Sequence, residues 1–273
     1  ELLVEDTLQE NCKAVLLVPE QFSFEAERML LERFSETGSA KAAVLSFTRL
    51  FEEVGRICGT IAGTRMSESD SIVLMGKALQ KEKGALKCFD RFAQSQNFAA
   101  VCASTVAELK TAAVSSKQLY KASLQISGRL KAKLEDLALI MDSYNMEVAQ
   151  KFIDPRDTLD RLYDMLLTTR YFENKKVYID GFKGFTGQQF KIISRIIEQA
   201  SHVIITLCCD DTTQKDGTFD TAIDTRQKIE KYARQVNVEI IKPVVLDKSY
   251  YKCEELKALE KGLFAAGEVF DSI

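Results

Sequence analysis

The sequence holds a single histidine, no C-x-x-C pair and only three prolines, and no apolar run approaches the roughly 20 residues a membrane helix needs. Each absence closes a class of function. His202, placed where an apolar run begins, leaves almost no room for a histidine-ligated metal, and any Ser-His or Cys-His triad would have to use this one ring. The seven cysteines, Cys12, Cys58, Cys88, Cys102, Cys208, Cys209 and Cys253, are odd in number and scattered, so neither a zinc site nor a disulfide framework is indicated. They suit a reducing cytoplasmic compartment, where thiols act as small core residues. The N-terminus lacks the basic, apolar and small-residue order of a signal peptide. Charge of one sign is also missing: 37 basic against 40 acidic side chains give a net −3, so any nucleic-acid binding has to come from a local groove. The phosphate cradle G-x-x-x-x-G-K-[ST] is absent as well. CGTIAGTR (Cys58 to Arg65) has the wrong spacing and no lysine, and MGKAL (Met75 to Leu79) lies inside a helical pattern, so ATP hydrolysis by this chain alone is not expected.

What is present is a globular chain of 273 residues, 46% hydrophobic, enough for one large domain or two. KAVLLVP (Lys13 to Pro19) is a short continuous apolar run stopped by proline, as in a strand buried on both faces. Ser23 is expected to cap a helix with Glu25 and Glu27 in its first turn and Ala26, Leu30, Leu31 and Phe34 along one stripe. A second apolar run, AAVLSF (Ala42 to Phe47), precedes the helical RLFEEVGRI. Strand, helix, strand, helix at this spacing predicts a parallel α/β sheet. The first residues, ELLVEDTLQEN, also read as helix, so the chain is expected to begin inside an element of something longer.

From about Ser67 to Arg170 the apolar residues keep a helical period, best in Leu130, Leu134, Leu137, Met141, Tyr144, Val148 and Phe152. Asp154-Pro155 is a restart signal, a cap followed by proline at the first helical position, before Leu159, Leu162 and Leu166. The α/β pattern then resumes. VYID is a strand, Thr186 and Gln189 form a capping box flanked by Phe185 and Phe190, and HVIITLCCD (His202 to Asp210) is another strand. Phe219 to Val236 reads as helix and VEIIKPVV as a last strand. The expected division is an α/β core over residues 1–66 and 172–247, an all-helical insertion over 67–171, and the start of a following segment over 248–273.

Few residues point to chemistry. An apolar strand ending in Asp180 is the geometry by which nucleotide hydrolases hold Mg²⁺, although strand ends in α/β sheets also carry Asp simply for the turn. The next residue is Gly181, which cannot activate water as a glutamate there would. Thr105 to Lys133 contains Lys110, Lys117, Lys121, Arg129, Lys131 and Lys133 against the one acid Glu108, either a phosphate track or a solvated helix face. Phe47 and Arg49 leave a buried strand together, as a base-stacking and phosphate-gripping pair or as a core residue and a surface residue.

Three segments, VLLVPEQFSFEAERMLL (Val15 to Leu31), VLSFTRLFEEVG (Val44 to Gly55) and VYIDGFKGFTGQQF (Val177 to Phe190), resemble the B subunit of the AddAB-type ATP-dependent helicase–nuclease of bacteria, and the likeness runs on through HVIITLCCDD. It implies a sheet of the P-loop NTPase, superfamily 1 helicase type, with the first strand and the P-loop missing. Against the helicase pattern D-E-F-Q-D-F-T-P-x-Q, the chain keeps Asp180, Phe182, Phe185, Thr186 and Gln189 but has Gly181 for the catalytic Glu, Lys183 and Gly184 for Gln and Asp, and Gly187 for Pro. Ser23 and Glu52 also depart from the family, which commonly has a threonine and a large aromatic there. The resemblance implies a disabled motor that contacts single-stranded DNA in double-strand break repair, recognises the hotspot sequence Chi, and pairs with an A-type helicase–nuclease subunit. It places Gln21, Ser23, Phe47, Arg49 and Phe182 at the DNA-facing edge, with Asp180 and Gly181 as a degenerate Walker B end. ATP with Mg²⁺ and a 4Fe-4S cluster are implied only for a longer parent, the cluster in a distant nuclease domain.

Overall fold

Short continuous apolar runs set the sheet. In this computed structural model, residues 13–33, 42–59, 64–149, 152–209, 219–246 and 253–263 are described. The helix expected from Glu1 lies outside them, as do Phe34 and Cys12. Strand β1 (Lys13–Leu17) lies inside the sheet, with Ala14, Val15 and Leu17 buried. β2 (Ala42–Leu45) pairs with it on one side and β5 (Lys175–Ile179) on the other, and β6 (His202–Ile205) continues beyond β5. All three pairings are parallel, with Leu17 opposite both Leu45 and Ile179, and Ile179 opposite Ile205. The strand C-termini therefore share one edge, and the chain leaves β1 for one side and later returns to the other. The fold is α/β with a parallel sheet and many helices, as predicted.

Helix α1 (Ser23–Arg33) follows β1 and α2 (Phe47–Cys58) follows β2. Ser23 is not the cap expected of it. A turn of 3-10 helix, Glu20–Phe22, leads in, and the Ser23 hydroxyl donates instead to the Glu20 carbonyl at 2.9 Å. Strand β2 is likewise shorter than its apolar run, because Ser46 caps α2 by accepting from the Arg49 amide, so that Phe47 is already helical.

The next block is helical apart from two two-residue strands that the periodicity could not reveal. β3 (Thr64–Arg65) pairs in parallel with β4 (Phe152–Ile153), joining its two ends. Between them lie α3 (Glu68–Lys81), α4 (Gln96–Thr111), α5 (Ser116–Ser123) and α6 (Gly128–Ala149). The block has its own core, including Leu74, Met75, Leu79, Val106, Ile140, Met141, Tyr144 and Val148. The seam predicted for α6 loses both ends: Leu130 is 57% exposed on the first turn, and Phe152 belongs to β4. Asp136, buried in α6, accepts from the amides of Lys87, Cys88 and Phe89 at 2.7–3.0 Å and so fixes the connection between α3 and α4. Among the described residues no single helix is long and apolar enough to cross a membrane.

Lys110, first read among possible phosphate contacts, is buried instead. Its ammonium lies 2.8 Å from Asp154 and 2.7 Å from Asp157, with the Tyr144 ring 5.5 Å away. Asp154 also accepts from the Arg156 amide, capping the turn Pro155–Asp157 as the Asp-Pro signal predicted. Burial pushes the Asp157 carboxyl above its ordinary value against the pull of Lys110. α7 (Thr158–Thr168) follows, with Leu162 and Leu166 fully buried. α8 (Gly187–Gln199) then links β5 to β6 and opens on the predicted Thr186–Gln189 capping box. Its first residue meets the end of α4 backbone to backbone: a Cβ on Gly187 would stand 2.2 Å from the Ala112 carbonyl oxygen.

Contacts divide the chain into two compact units, 1–206 and 207–273. The second contains α9 (Asp220–Gln235) and α10 (Glu254–Leu263). The expected last strand, VEIIKPVV, does not form: residues 238–246 carry no strand, with Ile241, Val244 and Leu246 at least 76% exposed. β propensity alone does not make a strand. β6 also stops at Ile205, short of the run predicted to Asp210, which itself lies outside the described residues.

Removing one partner of a buried charge pair leaves the others uncompensated, so Lys110→Met is expected to cost about 3–5 kcal/mol in urea unfolding. Gly187→Ala should cost about 1–3 kcal/mol through overpacking on Ala112. Gly76→Ala, in α3 with nothing within 4 Å, should instead stabilise by about 0.5–1 kcal/mol.

Candidate nucleic-acid interface

The loops beyond the strand C-termini are held together by an extension of the ladder. Val18 donates to the Leu45 carbonyl at 2.9 Å, Asp180 to Leu17 at 3.0 Å and Thr206 to Ile179 at 3.0 Å. Every residue assigned to the site from sequence lies on the segments that follow these bonds. In an open α/β sheet the crevice outside the strand C-termini, where successive connections leave to opposite sides, is the general ligand position. Here it falls between β1 and β5.

Aromatic rings gather there. Phe47 and Phe182 meet edge to face, 5.7 Å between centroids and 71° between planes, and Phe185 lies 5.1 Å from Phe182. Phe47 is buried at 6%, leaving Phe182 the more accessible of that pair. Phe22, overlooked in the sequence, is 45% exposed and would lie 3.8 Å from a Cβ on Gly181. Its signal was an aromatic two residues past Glu20, in the turn that displaced the expected cap. Gln21 beside it is exposed, whereas Ser23 is buried.

Several polar groups of the edge are already engaged within the chain. The Glu20 carboxylate accepts from the Thr48 amide at 3.1 Å, and Ser46 accepts from the Arg49 amide at 3.2 Å, so two N-terminal amides of α2 are taken. Burial tends to raise the Glu20 carboxyl, but hydrogen bonds from Thr48 and Ser46 and the nearby Arg49 charge outweigh it and hold it below its ordinary value. The Arg49 guanidinium pairs with Glu27 at 2.5 Å, each side chain 40% exposed. Neither carboxylate engagement was foreseen, because Glu20 and Glu27 look like ordinary first-turn acids. A groove of about 580 Å³ beside β2 is lined by Glu27, Glu52, Glu53, Arg49 and Arg56 with apolar residues of α1 and β2. Three carboxylates set against two guanidinium groups leave its lining without an excess of positive charge.

Asp180 is exposed, and the Thr206 hydroxyl donates to its carboxylate. Among the described residues no three His, Cys, Asp or Glu side chains are grouped so as to hold a metal ion, and the cysteines described are free. Gly181 takes a left-handed φ of +79°, and a Cβ on it would approach Pro19 Cδ to 3.3 Å. A glutamate in that place would be strained as well as crowded, so the turn is built around the glycine.

The structure defines a class: an open parallel α/β sheet, interrupted by a helical block, with aromatic and charged side chains gathered at the strand C-terminal edge. Residues 3–260 match the family described as "ADDB, N-terminal", and the chain belongs to that family. It is 35% identical over 263 residues to the B subunit of the ATP-dependent helicase/deoxyribonuclease of Caldanaerobacter subterraneus subsp. tengcongensis, covering 93% of this chain and 23% of the relative. It is 32% identical over 271 residues to the protein of the same name from Clostridium novyi, covering 96% of this chain and 24% of that one. The chain thus spans about a quarter of the length of these relatives.

Gly181→Glu is expected to lower stability by about 1–2 kcal/mol, the usual cost of a left-handed side chain, read as a shift of the urea midpoint. A neutral or stabilising result would show that the turn relaxes freely.

Proposed function

We propose that this chain is a non-catalytic, helicase-like part of an ATP-dependent helicase–deoxyribonuclease subunit, and that it binds single-stranded DNA along the strand C-terminal edge. The sheet is of the superfamily 1 helicase type on this reading, with the block between β3 and β4 as its helical insertion. The observation that carries the proposal is the meeting of Phe182 with Phe47 and Phe185 beside Arg49, at the ligand edge of a sheet whose relatives are named as helicase–deoxyribonuclease subunits. Bases stack on aromatic faces while cations follow the phosphates. That the relatives are named as B subunits supports a companion A-type subunit, which supplies the motor here because Gly181 occupies the catalytic position. Recognition of a hotspot sequence and the resulting role in recombinational repair are assigned to the same edge.

The two kinds of contact separate in a salt titration against a labelled oligothymidine. Arg49→Ala should weaken binding and reduce the slope of log K against log salt by about 0.7, one phosphate contact on a single strand. Phe182→Ala should lose about 1–3 kcal/mol of affinity, one stacked base, with the slope unchanged. Glu27→Gln, which frees Arg49 from an exposed pair worth up to about 1 kcal/mol, should tighten binding by as much as about fivefold. Wild-type affinity in both Arg49→Ala and Phe182→Ala would refute the edge as the binding site.

A further inference from the structure

One strongly polarised surface of the helical block is unused by the edge. Residues 109–134 contain six basic side chains and no acid, in a chain whose net charge is −3. With Lys110 buried, five remain. Lys117, Lys121, Arg129 and Lys133 are exposed and Lys131 is half-buried. Among the described residues none of these five forms an ion pair. Glu135, one turn beyond Lys131, feels its charge but is already bonded to Lys87. A solvated helix face ordinarily mixes signs at i and i+4. On α5 the stripe instead reads Lys117, Tyr120, Lys121, Leu124, with Tyr120 53% and Leu124 59% exposed, while Ser116, Leu119 and Ser123 face inward. Cations interleaved with an accessible aromatic ring are the chemistry of a single-strand track.

Its position links it to the edge. Ala112 touches Gly187, the first residue of α8, directly after the turn that carries Asp180, Phe182 and Phe185. α5 begins four residues after Ala112, a reach of at most about 14 Å of extended chain. One direct contact and a short linker therefore connect the segment after Phe182 to the start of α5.

We infer that the Lys117–Tyr120–Lys121 face of α5, continued by Arg129 and Lys133 on α6, is a second contact for the phosphate backbone of single-stranded DNA. It extends the track that begins at the sheet edge, and so rests on the function proposed above.

The test uses the full chain and two oligothymidines, one of about 6 nucleotides and one of about 24, bracketing the site sizes of common single-strand binders. The double variant Lys117→Ala/Lys121→Ala should weaken binding of the longer oligomer and lower its salt slope by about 1.4, two contacts, while leaving the shorter one unchanged. Arg49→Ala should weaken both. Unchanged affinity and slope for the lysine variant on the longer oligomer, with Arg49→Ala still impaired, would overturn the second contact alone. Loss in the lysine variant but none in Arg49→Ala would overturn the sheet edge as the primary site, and with it the extension. Polyglutamate of matching length competing as well as the longer oligothymidine would also overturn the inference, marking the face as a docking surface for acidic protein.

Discussion

The arrangement of this molecule depends on one buried ammonium group. Lys110, at the end of α4, sits between Asp154 and Asp157 with almost no solvent contact. Such a group is expensive to desolvate, and an apolar residue of the same volume can be as stable, so its value is not in total stability. What the charge fixes is register. It ties the last turn of α4 to one particular turn in the segment that leaves the helical block, and the same region delivers Ala112 against Gly187. Gln188 then bonds the Arg156 carbonyl and Asp160, and Lys191 bonds Asp160, joining α8 to that turn and to α7. The helical block is thereby seated on the N-terminus of α8, which follows the turn bearing Phe182.

Two glycines of the motif after β5 have separate reasons, and neither is flexibility. Gly181 supplies a positive φ where the backbone must turn sharply over Pro19. Gly187 supplies the absence of a side chain where two backbones touch. Where the proposed helicase-like reading would align Glu and Pro, the backbone is shaped for glycine, so a glutamate at 181 would stand on a backbone that is not shaped to present it.

Much of this was legible in sequence, because the signals were local. The apolar run of β1, the Thr186–Gln189 box and the Asp154-Pro155 cap each specify structure within a few residues, and each was found where expected. The failures concern partners distant in the chain. Lys110 looks like its neighbours Lys117 and Lys121 until Asp154 and Asp157, more than forty residues on, are brought to it. Residues 238–246 have the composition of a strand but form none, and β3 with β4 is too short to leave a periodicity. At the candidate site, the residues that assemble were readable, while the carboxylates that engage them were not. The pairing of Glu27 with Arg49 spans 22 positions and two helices.

Those carboxylates bear on how such an edge can work. An edge whose arginine is free and whose helix amides are open would hold any phosphate tightly and indiscriminately. Here Glu20 and Ser46 occupy the first amides of α2, and Glu27 occupies Arg49, so a phosphate gains only the difference between its own contact and the one it displaces. On the proposed reading, stacking on the aromatic group then supplies most of the affinity at the edge, and it is insensitive to salt. Among the described residues the exposed cations of α5 and α6 form no ion pair. Charge that attracts the strand and rings that engage its bases would thus lie on adjoining surfaces, joined through the contact between Ala112 and Gly187. On the proposed reading, a strand drawn along such a path is held without being gripped at any one point.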